Sequence, residues 1–221
     1  MLQPDNRPYR IYCAGPLFNP SERAEMEMLA ETLEQAGFRT FLPHRDGFFY
    51  AALVPEVMKA GYPRDIAQGL VRQAMFALDV YQILIGCDGI VVNLNGRVPD
   101  EGAVASGAIA WATGRAVVLF KNDARSLVEG FDHPLIAGLG GFRVVQCSED
   151  LPKVLARVVR ENQAPVQVEA FPMTLQPVLS RGRRLTEATS EGETKHLVRT
   201  MIELFDEFRG STGSRAKGSP R

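Results

Sequence analysis

Two carboxylates and a hydroxyl lie close together in a stretch of small residues near the middle of the chain. The sequence DEGAVASGAIAW places Asp100 and Glu101 directly before Gly102 and a helix-like run that includes Ser106. Carboxylates can stabilise an oxocarbenium-like centre, attack it or move protons, which are the tasks of glycosidic-bond cleavage. Small residues leave the free N–H groups at the start of a helix open to a ligand. We interpret this stretch as one wall of a site for a flat, polar ligand.

A second candidate segment, the sequence YCAGPLF, combines small residues with aromatic rings. Ala14 and Gly15 allow the backbone to approach a ligand closely, and Tyr12 and Phe18 could stack on a ring. Asn95, after another apolar segment, adds an amide. Carboxylates, amides and aromatic rings together suit a polar, ring-shaped ligand such as a nucleoside or a sugar.

The elements that must position these residues alternate between strand and helix along the chain. Such alternation is typical of βαβ units, and five strands favour a doubly wound, flavodoxin-like α/β fold with a parallel sheet in the order 2-1-3-4-5. The predicted strands are Arg10–Ala14, Phe38–Leu42, Gly89–Leu94, Ala116–Phe120 and Phe142–Cys147. The predicted helices are one capped by Asn19 and ended by Gly37, then Ile66–Leu84, Gly102–Thr113, a short one within Asp132–Gly138, Ser148–Glu161 and Thr194–Phe208.

In an open doubly wound sheet, ligands bind beyond the carboxyl ends of the strands, where the strand order reverses. That point lies between the first and third predicted strands, which the segments around Tyr12 and Asp100 follow. The aromatic-rich connection from His44 to Asp65 is predicted to be a loop, either packed on its own side chains or covering the pocket. His44 itself either contacts the ligand or caps the turn.

The chain divides by composition into three parts. Residues 1–163 are predicted to form the α/β domain, 164–209 a helical extension and 210–221 a disordered tail. The apolar stripe on the last predicted helix and the side chain of Trp111 suit either core packing or contacts in a homo-oligomer. The stripe consists of Leu197, Met201, Leu204, Phe205 and Phe208.

Composition excludes several functional classes. The 221 residues carry a formal net charge of -1, so we expect no nucleic-acid partner and no membrane partner. The three cysteines lie in or beside apolar segments, which predicts buried free thiols in a cytoplasmic protein. The scattered histidines predict no metal site, and the absence of a dinucleotide glycine fingerprint, a phosphate loop and a nucleophile elbow predicts no cofactor and no serine-hydrolase chemistry.

Several segments together resemble a known family, the nucleoside 2-deoxyribosyltransferases. The sequence YCAGPLF is similar to that family's opening strand and turn, and DGIVVNL to its central strand. DEGAVASGAIA aligns without a gap on its D-x-G-T-A-x-E-[IL]-G-x-A motif, and GRAVV on the G-K-P-V-V that follows. The resemblance covers about Arg10 to Cys147.

The resemblance implies a flavodoxin-like fold and cleavage of the N-glycosidic bond of nucleosides, with nucleosides, nucleotides and free bases as small-molecule partners. It also implies that Tyr12 and Phe18 line the base region, that Asp79 contacts the base, and that Asp100 holds the sugar or acts on protons. For Asp79 a solvated helix position is the alternative, and for Asp100 a helix cap, which is compatible with a role in the site. By the same resemblance, the segment Asp132-His133-Pro134 is expected to approach a neighbouring subunit's pocket.

Ser106 departs from the family pattern, because it stands where the resemblance implies a nucleophilic glutamate. A neutral hydroxyl supplies no charge to an oxocarbenium ion and is a poor nucleophile without a general base. Three explanations stay open: a binding protein or weak enzyme, an introduced Glu-to-Ser change that traps a ligand, or transfer of the role to Glu101. The alternatives to an enzyme are a regulatory nucleoside-binding protein and a flavin-binding protein, the latter expected to be yellow.

Overall fold

The computed structural model describes residues 7–96, 98–123, 132–162, 168 and 171–206. Within these residues a parallel sheet of five strands has the order β2-β1-β3-β4-β5, which confirms the predicted flavodoxin-like topology. The strands are β1 (Arg10–Ala14), β2 (Arg39–Phe41), β3 (Gly89–Asn93), β4 (Ala116–Phe120) and β5 (Val144–Val145).

Nine α-helices lie within the described part of the chain. They are α1 (Pro20–Gln35), α2 (Pro43–Asp46), α3 (Tyr50–Lys59), α4 (Arg64–Tyr81), α5 (Glu101–Ala112), α6 (Pro134–Leu139), α7 (Leu151–Glu161), α8 (Gln176–Ser190) and α9 (Thr194–Phe205). A π-helical turn, Gln82–Gly86, extends α4, and a 3-10 turn, Ser148–Asp150, precedes α7.

Both faces of the sheet are covered, as the continuous apolar strands predict. Along β1, Tyr12 and Ala14 join a core with α3, α4 and α5, while Ile11 and Cys13 join a second core with α1 and α7. Every residue of β3 and β4 is buried. The sheet is therefore a rigid central layer, and the loops at its carboxyl edge start from fixed points.

The predicted start of α1 is confirmed. Asn19 Oδ1 accepts a hydrogen bond from the Glu22 backbone N–H at 3.0 Å, and Glu22 Oε2 accepts one from the Asn19 N–H at 3.2 Å. This reciprocal capping box satisfies two N–H groups that a helix start leaves without partners. Because Glu22 also accepts from the Phe18 N–H at 2.8 Å, the cap fixes the turn that leads from β1 into the helix.

The prediction of a loop from His44 to Asp65 is wrong, because this segment holds most of α2, all of α3 and the start of α4. Helix α3 buries Leu53, Val54 and Val57, whose three- and four-residue spacing is helical, although the flanking aromatic residues and Pro55 resemble a loop.

Strand β5 is also shorter than predicted, because two residues that precede it have a left-handed backbone conformation. Gly141 and Phe142 have φ values of 61° and 59°, so the chain cannot be extended there. Cys147, beyond β5, is exposed, which corrects the prediction of three buried thiols; Cys13 and Cys87 are buried and free as predicted.

Among the described residues, two helices follow the α/β unit, and of these only α9 has a predicted counterpart. The stripe of α9 packs within the chain: Leu197, Met201 and Phe205 are buried in the core on the α4 side of the sheet, while Phe208 lies outside the described residues. Helix α8 was not predicted, because Leu179 and Leu185 are the only bulky residues on its buried face, which Gly182 and Ala188 complete. The predicted tail lies outside the described part of the chain.

Candidate active site

The carboxyl ends of β1 and β3 lie side by side at the centre of the sheet, where the strand order reverses. Ala14, the last residue of β1, pairs in register with Val92 near the end of β3. The chain leaves β1 toward α1 and leaves β3 toward α5, on opposite faces of the sheet, which is the arrangement at which doubly wound folds bind ligands. The segments singled out by their chemistry therefore reach the same edge of the fold.

Tyr12 occupies the centre of this edge. Its side chain is 3% exposed, and its ring stacks on Phe41 of β2 with centroids 5.4 Å apart. Its hydroxyl interacts with the Asp79 carboxylate and the Ser106 hydroxyl through hydrogen bonds. Burial, followed by the charge of Asp79, raises the pKa of Tyr12 well above its ordinary value, so Tyr12 stays protonated and serves as a hydrogen-bond donor.

Asp79 projects from α4 toward Tyr12. Burial raises the pKa of Asp79 from 3.8 to about 6, and the hydrogen bond from Tyr12 acts in the opposite direction. A carboxyl group with such a pKa is present in both protonation states near neutral pH, which suits proton exchange with a ligand. Asp79 is therefore a buried carboxyl group beside Tyr12, and not the solvated helix residue that was the alternative.

Ser106 is carried by α5, whose small residues bring the helix close to the sheet. Ala103, Gly107 and Ala110 are its buried residues, and a Cβ atom at Gly107 would lie 3.0 Å from Val92 Cγ2 of β3. The helix is therefore held against β3, with Ser106 partly buried beside Tyr12. Three predicted site residues from three separate elements thus meet at one point.

Asp100 caps α5. Its Oδ1 accepts a hydrogen bond from the Ala103 N–H at 2.7 Å, and burial raises the pKa of Asp100 although this bond opposes the shift. Glu101 and Gly102 follow in the first turn and are exposed. Glu101 thus lies in a different environment from the partly buried Ser106, more than one helical turn away, which argues against Glu101 replacing the missing glutamate.

The turn after β1 is explained largely by packing. A Cβ atom at Gly15 would lie 2.3 Å from Met26 Sδ and 3.0 Å from Asn93 Cβ, so a side chain there would collide with α1 and β3. Ala14 is buried, whereas Phe18 is 74% exposed at the rim. Of the predicted ring-binding residues, Tyr12 therefore lies inside the site and Phe18 at its edge.

Asn95 and His44 bind other parts of the protein. Asn95 Nδ2 donates to Asn122 Oδ1 at 2.6 Å and to Glu25, and Asn95 Oδ1 accepts from the Asn122 N–H at 3.0 Å. His44 Nε2 lies 3.0 Å from Glu27 Oε1 of α1. Asn95 thus connects the loop after β3 to α1 and to the loop after β4, and His44 connects α2 to α1. The sequence did not reveal these contacts for Asn122 and Glu25.

The loop after β4 is anchored by further polar contacts. Lys121 Nζ lies 2.5 Å from Asp132 Oδ1, and both side chains are largely buried. His133 Nδ1 accepts from the Leu135 N–H at 3.2 Å and so caps the short helix α6. Asp123 Oδ2 accepts a hydrogen bond from the Gly96 N–H at 2.9 Å. The sequence spacing also suits an ion pair between Asp123 and Arg125, but Arg125 lies outside the described residues. These contacts leave Asp132 and His133 engaged within the chain.

Two broader features of the described residues bear on function. No group of three or more histidine, cysteine, aspartate or glutamate side chains there is arranged to hold a metal ion. None of the helices in the same part of the chain is long and apolar enough to cross a membrane.

Known proteins are similar to this chain at the level of family and fold. A conserved protein from Enterococcus faecalis V583 is 22% identical, with a TM-score of 0.51 over 68% of this chain and 98% of that one. A 2-desoxiribosyltransferase from Leishmania mexicana is 18% identical, with a TM-score of 0.41 over 69% and 98% of the two chains. No curated protein matches. The family model of nucleoside 2-deoxyribosyltransferase matches residues 11–170, well over half of the sequence. The chain therefore belongs to the nucleoside 2-deoxyribosyltransferase family.

Proposed function

We propose that the chain binds a 2'-deoxynucleoside at the carboxyl ends of β1 and β3 and acts, slowly, on the bond between base and sugar. The observation that carries this proposal is the meeting of Tyr12, Asp79 and Ser106 from three elements at the point where the strand order reverses. Membership of a family named for nucleoside transfer supports the substrate class.

Asp79 is the residue best suited to the base. With a pKa raised by burial to about 6, its carboxyl group can accept a hydrogen bond from the edge of a base or donate a proton to a ring nitrogen. Protonation of the leaving base makes departure from the sugar carbon easier, because the base then leaves as a neutral molecule. Tyr12 donates to the same carboxylate and keeps it oriented.

Ser106 limits the reaction. Cleavage of the glycosidic bond develops positive charge on the sugar, and a serine hydroxyl supplies neither the opposite charge nor a strong nucleophile. Glu101, the carboxylate nearest to Ser106 in the sequence, is exposed. Asp100, the next one, is bound to the first turn of α5 as its cap. A lost nucleophile raises the barrier by on the order of several kcal/mol, and each ~1.4 kcal/mol is a factor of ten in rate.

The same observation favours a second candidate, a nucleoside-binding protein without turnover. Such a protein keeps the contacts of Tyr12 and Asp79 and needs no charged group at position 106. It predicts that 2'-deoxynucleosides raise the melting temperature without release of free base. Turnover therefore separates the two candidates, while ligand-induced stabilisation is common to both.

Base exchange tests the proposal directly. The purified protein, Ser106→Glu and Ser106→Gln are each incubated with 2'-deoxyadenosine or 2'-deoxyuridine and a competing free base, and the products are separated by chromatography. We expect Ser106→Glu to form the exchanged nucleoside much faster than the unchanged protein. Ser106→Gln is the matched control, because it has the size of glutamate without its charge.

Each outcome has a distinct meaning. Exchange by Ser106→Glu alone supports a nucleoside site that lacks its nucleophile and favours the binding protein. Exchange by the unchanged protein as well supports an enzyme in which another carboxylate acts, and Asp100 and Glu101 become the next substitutions. If no form reacts and no nucleoside raises the melting temperature, the proposed substrate class is wrong.

A further inference from the structure

We infer that Gly182 and Thr186 of α8 are positioning residues for the Tyr12–Asp79 pair, so that a helix beyond the family-matched segment supports the site. The family model ends at residue 170, and α8 begins at Gln176. The inference rests on the proposed function, because it gives α8 a role through the carboxylate expected to meet the base. The argument depends on two separate contacts.

The first contact presses α8 against the turn of α4 that carries Asp79. A Cβ atom at Gly182 would lie 2.3 Å from the Ala77 carbonyl oxygen and 2.4 Å from the Tyr81 Cβ. Ala77 and Tyr81 are four residues apart and share one face of α4, whereas Asp79, midway between them, points to the opposite side. The two contacted atoms are a backbone oxygen and a Cβ, so a change of rotamer cannot relieve a clash. Any added side chain must move a helix.

The second contact leads to the other member of the pair. Thr186 Oγ1 accepts a hydrogen bond from Gln82 Nε2 at 3.0 Å, and Gln82 Oε1 accepts one from Arg10 Nη1 at 3.1 Å. The Arg10 guanidinium lies over the Phe41 ring at 5.2 Å, and that ring stacks on Tyr12. Gln82, which joins the two bonds, is 2% exposed, whereas Arg10 and Thr186 are partly buried. Helix α8 thus supports both Asp79 and Tyr12 from outside the crevice.

A measurable property of Asp79 follows from this support. Its pKa is raised mainly because protein atoms exclude water from the carboxylate. An added side chain at position 182 pushes α8 and α4 apart and so releases the turn that carries Asp79, whereas loss of the Thr186 bond releases Gln82 and Arg10 behind the Phe41 and Tyr12 rings. Because the hydrogen bond from Tyr12 lowers the pKa of Asp79, weakening of the pair in either variant raises that pKa further.

The experiment measures the titration of Asp79 in the ligand-free, full-length protein. The pH midpoint of the carboxyl carbon is followed by 13C NMR, with Asp79→Asn used to assign the signal. We expect Gly182→Ala and Thr186→Val each to raise the midpoint by on the order of half a pH unit. Leu155→Ala is the matched control, because Leu155 is fully buried in the core on the α7 side of the sheet, away from α8.

The outcomes separate a positioning role from general loosening. A higher midpoint in the α8 variants together with an unchanged midpoint in Leu155→Ala supports the inference. An unchanged or lower midpoint in Thr186→Val, or an equal rise in Leu155→Ala, overturns it. Thr186→Val adds no bulk against α4 and decides the matter if Gly182→Ala does not fold. Because the titration needs no nucleoside, failure of the protein to bind nucleosides would overturn the proposed function without affecting this result.

Discussion

Replacing Asp79 by asparagine is expected to stabilise the protein at alkaline pH. The native carboxyl group is ordinarily ionised above pH 4, but burial raises its pKa to about 6. The folded state therefore holds a proton on Asp79 between about pH 4 and pH 6, where the unfolded chain has lost it. Folding binds a proton in this range, so the free energy of unfolding decreases as the pH rises. Above pH 6 the whole penalty for the buried charge is present.

The size of this penalty follows from the two pKa values. A rise from 3.8 to about 6 is roughly two units, and at 1.36 kcal/mol per unit the buried charge destabilises the fold by about 3 kcal/mol. Because Asp79 is only partly buried by surface area, this figure is an upper bound. Asparagine is neutral at every pH and can still accept the hydrogen bond from Tyr12. The Asp79→Asn variant should therefore approach the native stability near pH 4 and exceed it by up to about 3 kcal/mol at pH 8.

Urea unfolding of both proteins across this pH range measures the effect. Other groups titrate in the same range, but they are common to the two proteins and cancel in the difference. The reasoning is refuted if the stability difference is the same at pH 4 and pH 8, or if the variant is the less stable protein at pH 8. Aggregation near the isoelectric point is avoided by reading equilibrium transitions at low protein concentration.

Two further substitutions test the surroundings of the site. Tyr12→Phe removes the hydrogen bond that lowers the pKa of Asp79, so the 13C NMR midpoint of Asp79 should rise above the native value, and a fall would contradict the assigned contact. Asn95→Ala leaves the Asn122 side chain and N–H without their partner, and urea unfolding should show a loss of about 1–3 kcal/mol; a loss below ~0.5 kcal/mol would mean that water replaces these bonds.

The sheet was predictable because its signals are local. Strands β3 and β4 are continuous apolar segments, and the capping box of α1 lies within four residues, so each could be identified from neighbouring positions. Helix α8 could not, because its close approach to α4 depends on Gly182 and small neighbours rather than on an apolar stripe. Small residues on a buried helix face give only a weak signal in a hydrophobic pattern.

The site was predictable in part. Tyr12 and Asp100 could be chosen from residue type and from their place after apolar strands, whereas Asp79 needed the family resemblance, because a charge on a helix is usually solvated. The partners of Asn95 and His44 were beyond sequence reasoning. They include two glutamates of α1, 70 and 17 residues away in the chain, and only the packing of that helix brings these glutamates into contact with Asn95 and His44.

The contacts that hold α5 in place do not involve the side chain at position 106. Helix α5 packs on the sheet through Ala103, Gly107 and Ala110, and Asp100 caps its start. Ser106 contributes neither to this packing nor to the cap. The residues that position the helix are therefore different from the residue that the helix presents at position 106. A substitution at position 106 therefore leaves the contacts that place α5 unchanged, so the chemistry offered at this point can vary without a change in the packing of the fold.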